Sequence, residues 1–409
     1  MFSFATVGDS RQDPKSPDPT TLLPNNTGTL LPQDKQWLQN SQAWSMLYNG
    51  IASQDPNLLF FNGDMVYGYG RPVLPSAWSN GQPGTWTSAQ SVTPDTIFEY
   101  VQYAYWRGSI ANLFYNGTYV IPVPGNHETQ CSSTAAPYSS SSANPNCASG
   151  KTAYADNENA FRANTGDLVQ DLVTNTRFSN VSGFNALNVS GLTQATAPQA
   201  STNNGPITGN QAELSYSFDI QTSAGLLHFA VINTDPSGAD STAPADWLAS
   251  DFAAAQGHGA VKYFVFGHKP AFTYNYAAGG GGTISAAGLD VNTTTRNAFW
   301  KVIAQYGATY FCGHEHTVNV SQNPDPTGTY TSKPYQVIVG SGGSPFDDKL
   351  VGTCPSCNEP VLTNPFDRYY AWALVEVHQS GTVSLTVNGF SDAFGPVQAL
   401  TLYNVSSLQ

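Results

Sequence analysis

Charge is scarce in this chain of 409 residues: Asp, Glu, Lys and Arg together make up 11%, and only 15 residues are basic against 28 acidic, a formal net charge of −13. Nucleic acid as a stable partner and an anionic membrane both need clustered cations, so the shortage argues against each. No stretch approaches the ~20 consecutive apolar residues of a membrane-spanning helix. The first residues, Met1-Phe-Ser-Phe-Ala-Thr-Val7, are already strand-like, with no basic or long apolar leader. A Ser-hydrolase elbow of the G-x-S-x-G kind is missing after any strand. The Gly-rich stretch Ala277–Gly282 is too irregular for a Walker phosphate loop.

Cysteine is sparse too, with five residues. Cys131 and Cys147 flank a Ser/Ala/Pro-rich loop and are expected to form a disulfide staple. Cys354-Pro-Ser-Cys357 has neither a second CxxC for zinc nor a thioredoxin-like context, so a small-loop disulfide is expected there as well. Cys312 closes an apolar run and reads as a buried thiol. Asn-X-Ser/Thr sequons stand at Asn25, Asn116, Asn180, Asn188, Asn292, Asn319 and Asn404. With few Lys and paired Cys, they favour a secreted, periplasmic or extracellular protein over a cytosolic one.

What is abundant is a repeated device: an apolar strand, a glycine, then a side chain able to bind metal. Phe2–Val7 ends in Gly8-Asp9-Ser10-Arg11. Leu58–Phe61 runs through Asn62-Gly63 to Asp64 and Tyr67. Tyr119–Pro124 leads into Gly125-Asn126-His127-Glu128, Val261–Phe266 into Gly267-His268, and Ala308–Cys312 into Gly313-His314-Glu315-His316. In open α/β sheets, ligands bind outside the carboxyl ends of strands.

Helical spacing is read over Asp34–Ala52, Pro94–Leu113, Ala245–Gln256 and Thr294–Tyr306. This βαβ rhythm predicts stacked strands with helices outside. Leu214–Ile220 and Leu226–Asn233 read as a strand pair. Thr129–Gln211 breaks the rhythm and reads as an insertion with one short helix, Asn157–Asn164. Tyr335–Val339, Trp372–His378, Val383–Asn388 and Leu400–Tyr403 alternate with period two and are expected to build a second sheet. One domain spanning 1–409 is expected, with insertions at about 71–93, 129–211 and 271–290.

Asp9, Asp64, Asn126, His268, His314 and His316, with Tyr67 beside them, are the candidate metal ligands. Carboxylate with imidazole suits zinc, iron or manganese, whereas calcium would ask for oxygen alone. Four of the seven histidines fall in these motifs, and His228, His258 and His378 lie outside them.

The ordered set of motifs resembles the calcineurin-like metallophosphoesterases. Gly63-Asp64-Met65-Val66-Tyr67 is similar to the GDxxY motif of purple acid phosphatases, and Val265-Phe266-Gly267-His268 to their VxxH. The resemblance implies a four-layer α/β/β/α sandwich of two mixed sheets flanked by helices. It implies one metal ion on Asp9, Asp64, His316 and Tyr67, and another on Asp64, Asn126, His268 and His314. The pair would be Fe(III) with a divalent zinc, iron or manganese ion. His127 would stabilise charge or protonate the leaving oxygen of a small phosphate ester, hydrolysed by water activated at the dinuclear centre. The alternatives are a phosphodiesterase or nucleotidase with two divalent metals, and a catalytically inactive secreted binding protein on the same fold. The chain departs from the purple pattern at Arg11, where glycine is usual. Arg11 is assigned to substrate phosphate, which its forked donors would clamp, the alternative being a pair with a surface acid.

Overall fold

The computed structural model describes residues 1–10, 32–68, 94–132, 151–201, 203–205, 207–273, 287–344, 366, 369–391 and 398–409. In chain order its elements are β1 (Phe2–Val7), α1 (Pro32–Ser53), β2 (Leu58–Asn62), α2 (Pro94–Tyr115), β3 (Tyr119–Val123) and α3 (Asn126–Thr129). There follow β4 (Gln130–Ser132), β5 (Lys151–Ala153), α4 (Ala155–Thr174), α5 (Arg177–Ser182), β6 (Ala186–Ser190), β7 (Tyr216–Thr222) and β8 (Gly225–Val231). The remainder is α6 (Ala245–His258), β9 (Ala260–Phe266), α7 (Thr293–Tyr306), β10 (Thr309–Cys312), β11 (Val318–Gln322), β12 (Tyr335–Val339), β13 (Tyr369–Val377), β14 (Val383–Ser391) and β15 (Leu400–Val405).

Two mixed sheets face each other. One has the order β15-β14-β13-β1-β2-β3, the other β11-β12-β10-β9-β8-β7-β6. Within the first, β1, β2 and β3 are parallel. Within the second, β8, β9, β10 and β12 are parallel.

The side-chain period of a strand decides what each face touches. Phe229, Val231, Phe264, Phe266, Phe311, Val337 and Val339 point to the first sheet and share its core. Their alternating neighbours Ala230, Ile232, Tyr263, Val265, Tyr310, Cys312 and Ile338 point the other way, into a second core with Leu248 and Phe252 of α6 and Phe299 and Trp300 of α7. On the outer face of the first sheet, α1 packs on β13, and α2 and α4 pack on β3. The layers are therefore helix, sheet, sheet, helix. Between the sheets, Phe60 and Phe266 stack with ring centroids 3.6 Å apart and planes 4° from parallel.

Three expectations change. The closing strands β13, β14 and β15 extend the first sheet through β1, and only β12 joins the second. Period two shows that a strand has two unlike faces and is silent on which sheet it joins. The region 129–211 holds a helix of 20 residues, α4, rather than a short one, and it ends where Asn175 turns left-handed at φ 53°. Strand β6, unread in the sequence, pairs with β7 at the sheet edge. The tracts 71–93 and 277–282 lie outside the described residues.

Candidate metal centre

Parallel strands deliver their carboxyl ends to one side, and here they do so from both sheets at once. The peptide N–H of Gly8 donates to Val339 O across the sheets (3.0 Å), and that of Asp9 donates to Gly63 O (3.0 Å). Immediately beyond the strands, Asp9, Asp64 and His314 adopt positive φ of 61°, 53° and 69°. Left-handed backbone is uncommon outside glycine, though Asp and His tolerate it better than most. It persists where surrounding structure enforces it, commonly at functional sites.

The side chains converge. Asp9, Asp64 and His316 each offer a ligand atom, all within 4.8 Å of one another. His316 Nε2 is 3.5 Å from Asp9 Oδ1. His268 Nε2 lies 3.1 Å from Asp64 Oδ1 and 2.9 Å from Asn126 Oδ1. His314 Nδ1 lies 2.9 Å from the same Asn126 oxygen. Two groups of donors thus form, one on Asp9 and His316, one on Asn126, His268 and His314, with Asp64 between them.

Hydrogen bonds behind the ligands fix their direction. Asn62 O is 2.7 Å from His268 Nδ1, and a carbonyl only accepts. A ring proton therefore sits on Nδ1, which leaves Nε2 as the ring atom facing the cluster. His127 is held likewise: its Nδ1 donates to Tyr67 O, and Nε2 stands 3.6 Å from Asp64 Oδ2. The Tyr67 ring lies beside that of His127, centroids 5.5 Å apart.

The residues fit a bound cation. Asp9 is fully buried, yet its Oδ1 has no hydrogen-bond partner among the described residues. Burial pushes the Asp9 carboxyl up, His268 and His316 pull it down, and Asp64 pushes it up again. Burial would lower the His268 imidazole, but Asp64 and Asp9 raise it to about 10. Burial, then the charges of His268 and Lys269, drive His314 well below its ordinary value. Two buried carboxylates crowded among imidazoles are what a metal ion satisfies.

A family model described as calcineurin-like phosphoesterase matches residues 37–318. The chain belongs to that family. Its members typically bind two metals, and a buried Asp/His cluster is present in this chain. Among solved structures, similar ones include a purple acid phosphatase from yellow lupin (Lupinus luteus) seeds, with TM-score 0.48 and 13% identity over 99% of this chain and 53% of that one. GAP50, the anchor in the inner membrane complex of Plasmodium, follows with TM-score 0.44 and 12% identity over 99% and 88%. PhoD gives 0.42 and 13% over 99% and 72%. The chain spans about half the length of the lupin protein. No curated protein matches the sequence.

Of the residues singled out in the sequence, the structure brings Asp9, Asp64, Asn126, His127, His268, His314 and His316 together, with Tyr67 against His127. Arg11 lies outside the described residues, as do Cys147, Cys354 and Cys357. Cys131 is disulfide-bonded, and Cys312 is a buried free thiol. Asn319, one of the sequons, is buried and cannot carry a glycan as folded.

Sequence reading gave Glu128 no role, and it has one. Its Oε2 accepts from the peptide N–H of Asp64 (2.9 Å) and of Gly125 (2.8 Å), and its Oε1 from Val66 (3.1 Å). It ties the loop after β2 to the loop after β3. A carboxylate directly after Asn126-His127 was the signal, but only its burial shows that it serves backbone rather than metal.

A cleft of about 320 Å³ lies elsewhere, lined in part by Asp219, His228, Trp247, Asp251 and His258. Its acids and imidazoles pair with one another.

Proposed function

We propose that the protein hydrolyses phosphoric esters, as an acid phosphomonoesterase with a dinuclear metal centre of Fe(III) and a divalent ion. One observation carries the reading: six side chains from five strand ends converge on a buried spot where Asp9 Oδ1 has no donor among the described residues. Bound ions would supply Lewis acidity there, polarising phosphoryl oxygens and making water acidic enough to attack at low pH.

The chain's own residues do the rest. Asp9, Asp64, Asn126, His268, His314 and His316 would hold the ions, with Asp64 lying between the two groups of donors. Tyr67, by its place in the GDxxY motif, would add a phenolate ligand. His127 presents Nε2 toward the centre while its Nδ1 proton is committed to Tyr67 O. Nε2 is therefore the atom that exchanges a proton with the leaving oxygen, or donates to the charged phosphoryl group in the transition state. Arg11 contributes to phosphate binding, and the sequons favour an extracytoplasmic site of action.

The test is elemental analysis and visible absorbance of the purified protein, with hydrolysis of an aryl monoester and an aryl diester from pH 4 to 8. (These pH limits are about the span in which unperturbed carboxylates and imidazoles titrate.) Two equivalents of metal, a tyrosinate–iron band and faster monoester cleavage are expected. Asp64→Ala should lose metal and activity together. His127→Ala should keep metal and lose about 10²–10⁴-fold in turnover. Metal binding without cleavage of either ester would refute the proposal.

A further inference from the structure

Lys269 comes directly after the ligand His268, yet its ammonium is buried. Nζ lies 2.5 Å from Asp235 Oδ1 and 2.9 Å from Ser241 Oγ, with the Lys and Asp side chains 7% and 0% exposed. The same Asp235 oxygen accepts from Gln130 Nε2 (3.0 Å) and from the peptide N–H of Ser241 (3.0 Å). Asp235 Oδ2 has no hydrogen-bond partner among the described residues. One oxygen thus gathers donors from three loops: Gln130 just past Asn126 and His127 beyond β3, Ser241 in the chain that leaves β8, and Lys269 beyond β9. The Lys269 backbone is pinned as well, its carbonyl accepting from Tyr310 Oη (2.6 Å) and its N–H donating to Thr234 Oγ1 (3.2 Å).

Stability alone is a poor reason for such a pair. Desolvating two charges costs several kcal/mol per ion, and apolar residues of similar volume often serve the fold as well or better. What the pair does that apolar packing would not is set distance and direction between loops. Two of those loops carry Asn126 and His268, whose donor atoms must meet, and are found 2.9 Å apart. Neither Lys269 nor Asp235 makes a hydrogen bond to Asp9 or His316 among the described residues.

We propose that the Lys269–Asp235 pair is a positioning device for one of the two metal sites. It clamps the Asn126 loop to the His268 loop, so the ion held by Asn126, His268 and His314 depends on it, and the ion on the Asp9–His316 side does not. The inference rests on the metal-dependent reading above.

The experiment strips metal from the full chain and titrates it with Zn(II) by calorimetry, with elemental analysis as a check. Asp235→Asn keeps an oxygen to accept the three donors and removes the charge, while Lys269→Met keeps the stem and removes the ammonium. In each variant one equivalent should bind as in the parent protein and the other about 10–100-fold more weakly, the usual loss when a group supporting a ligand is removed. The double variant should lose no more than the worse single. Equal weakening of both equivalents, or of neither, overturns the proposal. If Lys269→Met does not fold, the outcome for Asp235→Asn decides. A parent protein that binds no Zn(II) would instead overturn the metal centre itself, and the clamp with it.

Discussion

Glu128 offers the sharpest test of how the ligand loops are held. Its carboxylate accepts three peptide N–H groups, from Asp64, Gly125 and Val66, and is wholly buried. Glu128→Ala leaves all three donors without a partner. A buried donor stripped of its acceptor costs about 1–3 kcal/mol, so the loss should reach about 3 kcal/mol even after some backbone relaxation. Glu128→Gln differs. Its amide oxygen can take the Oε2 position and keep the bonds from Asp64 and Gly125, so only the Val66 N–H meets a second donor. The change also removes a charge that is uncomfortable here: burial, then repulsion from Asp64, raises the Glu128 carboxyl to about 7. Gln should therefore cost about 1–2 kcal/mol, well below Ala. Urea unfolding of the metal-free variants measures both, and Zn(II) affinity should fall in the same order, since Asp64 and Asn126 flank the bonds lost. Equal losses for Gln and Ala would refute the reasoning, because backbone acceptance could not then be what Glu128 supplies.

The other expectations are briefer. His228 sits between Asp219 (2.7 Å) and Asp251 (2.9 Å); burial alone would lower its imidazole, but these partners raise it to about 9 from 6.5. A raised imidazole stabilises fully below about pH 6.5 and loses that contribution as pH climbs through 9, so unfolding free energy should drop by on the order of 3 kcal/mol across that window, and His228→Ala should abolish the drop. Thermal melts from pH 6 to 10 (about the span bracketing both values) check it, and a parent curve no steeper than that of His228→Ala refutes it. Phe266→Ala removes the ring stacked on Phe60 between the sheets and should cost about 3–5 kcal/mol by denaturant titration, with a loss under about 1 kcal/mol telling against a close-packed core.

The sequence showed the strand ends well because an apolar run closing in glycine and a metal-competent residue is a local pattern. Nearly every such strand and its following side chain lies where the spacing predicts. What it could not show is non-local. That β13 pairs with β1 joins residues some 370 positions apart, as in Phe2 opposite Val377. Helix α4 was read only over Asn157–Asn164 because Thr165-Gly166-Asp167 looks like a turn in sequence, whereas the helix runs on to Thr174 with Thr165 and Asp171 buried. Asn157 donates to Gln130 O and Asn164 to Ala160 O, contacts visible only once the chain is folded. Glu128, Asp235 and Lys269 escaped for a related reason, because a buried charge and a solvated one are spelled alike.

The glycines of the motifs carry a last distinction. Read as sequence, Gly-Asp and Gly-His suggest that glycine makes the turn and the next residue merely follows. In the fold the left-handed conformation belongs to Asp9, Asp64 and His314 themselves, and of the glycines just before them Gly63 alone also has positive φ. Gly8 and Gly313 are needed for space instead. A Cβ on Gly8 would lie 2.9 Å from Asn62 O, and one on Gly313 would collide with Asp9 Oδ2. The small residue lets strands from the two sheets close up, and the ligand residue bears the backbone strain, of order 1–3 kcal/mol at each such position. That strain turns the peptide so that the His314 N–H meets Asp9 Oδ2 at 2.9 Å, which leaves Asp9 Oδ1 to face His316. The same turn that makes the backbone unfavourable aims the carboxylate, and the centre is built by that exchange.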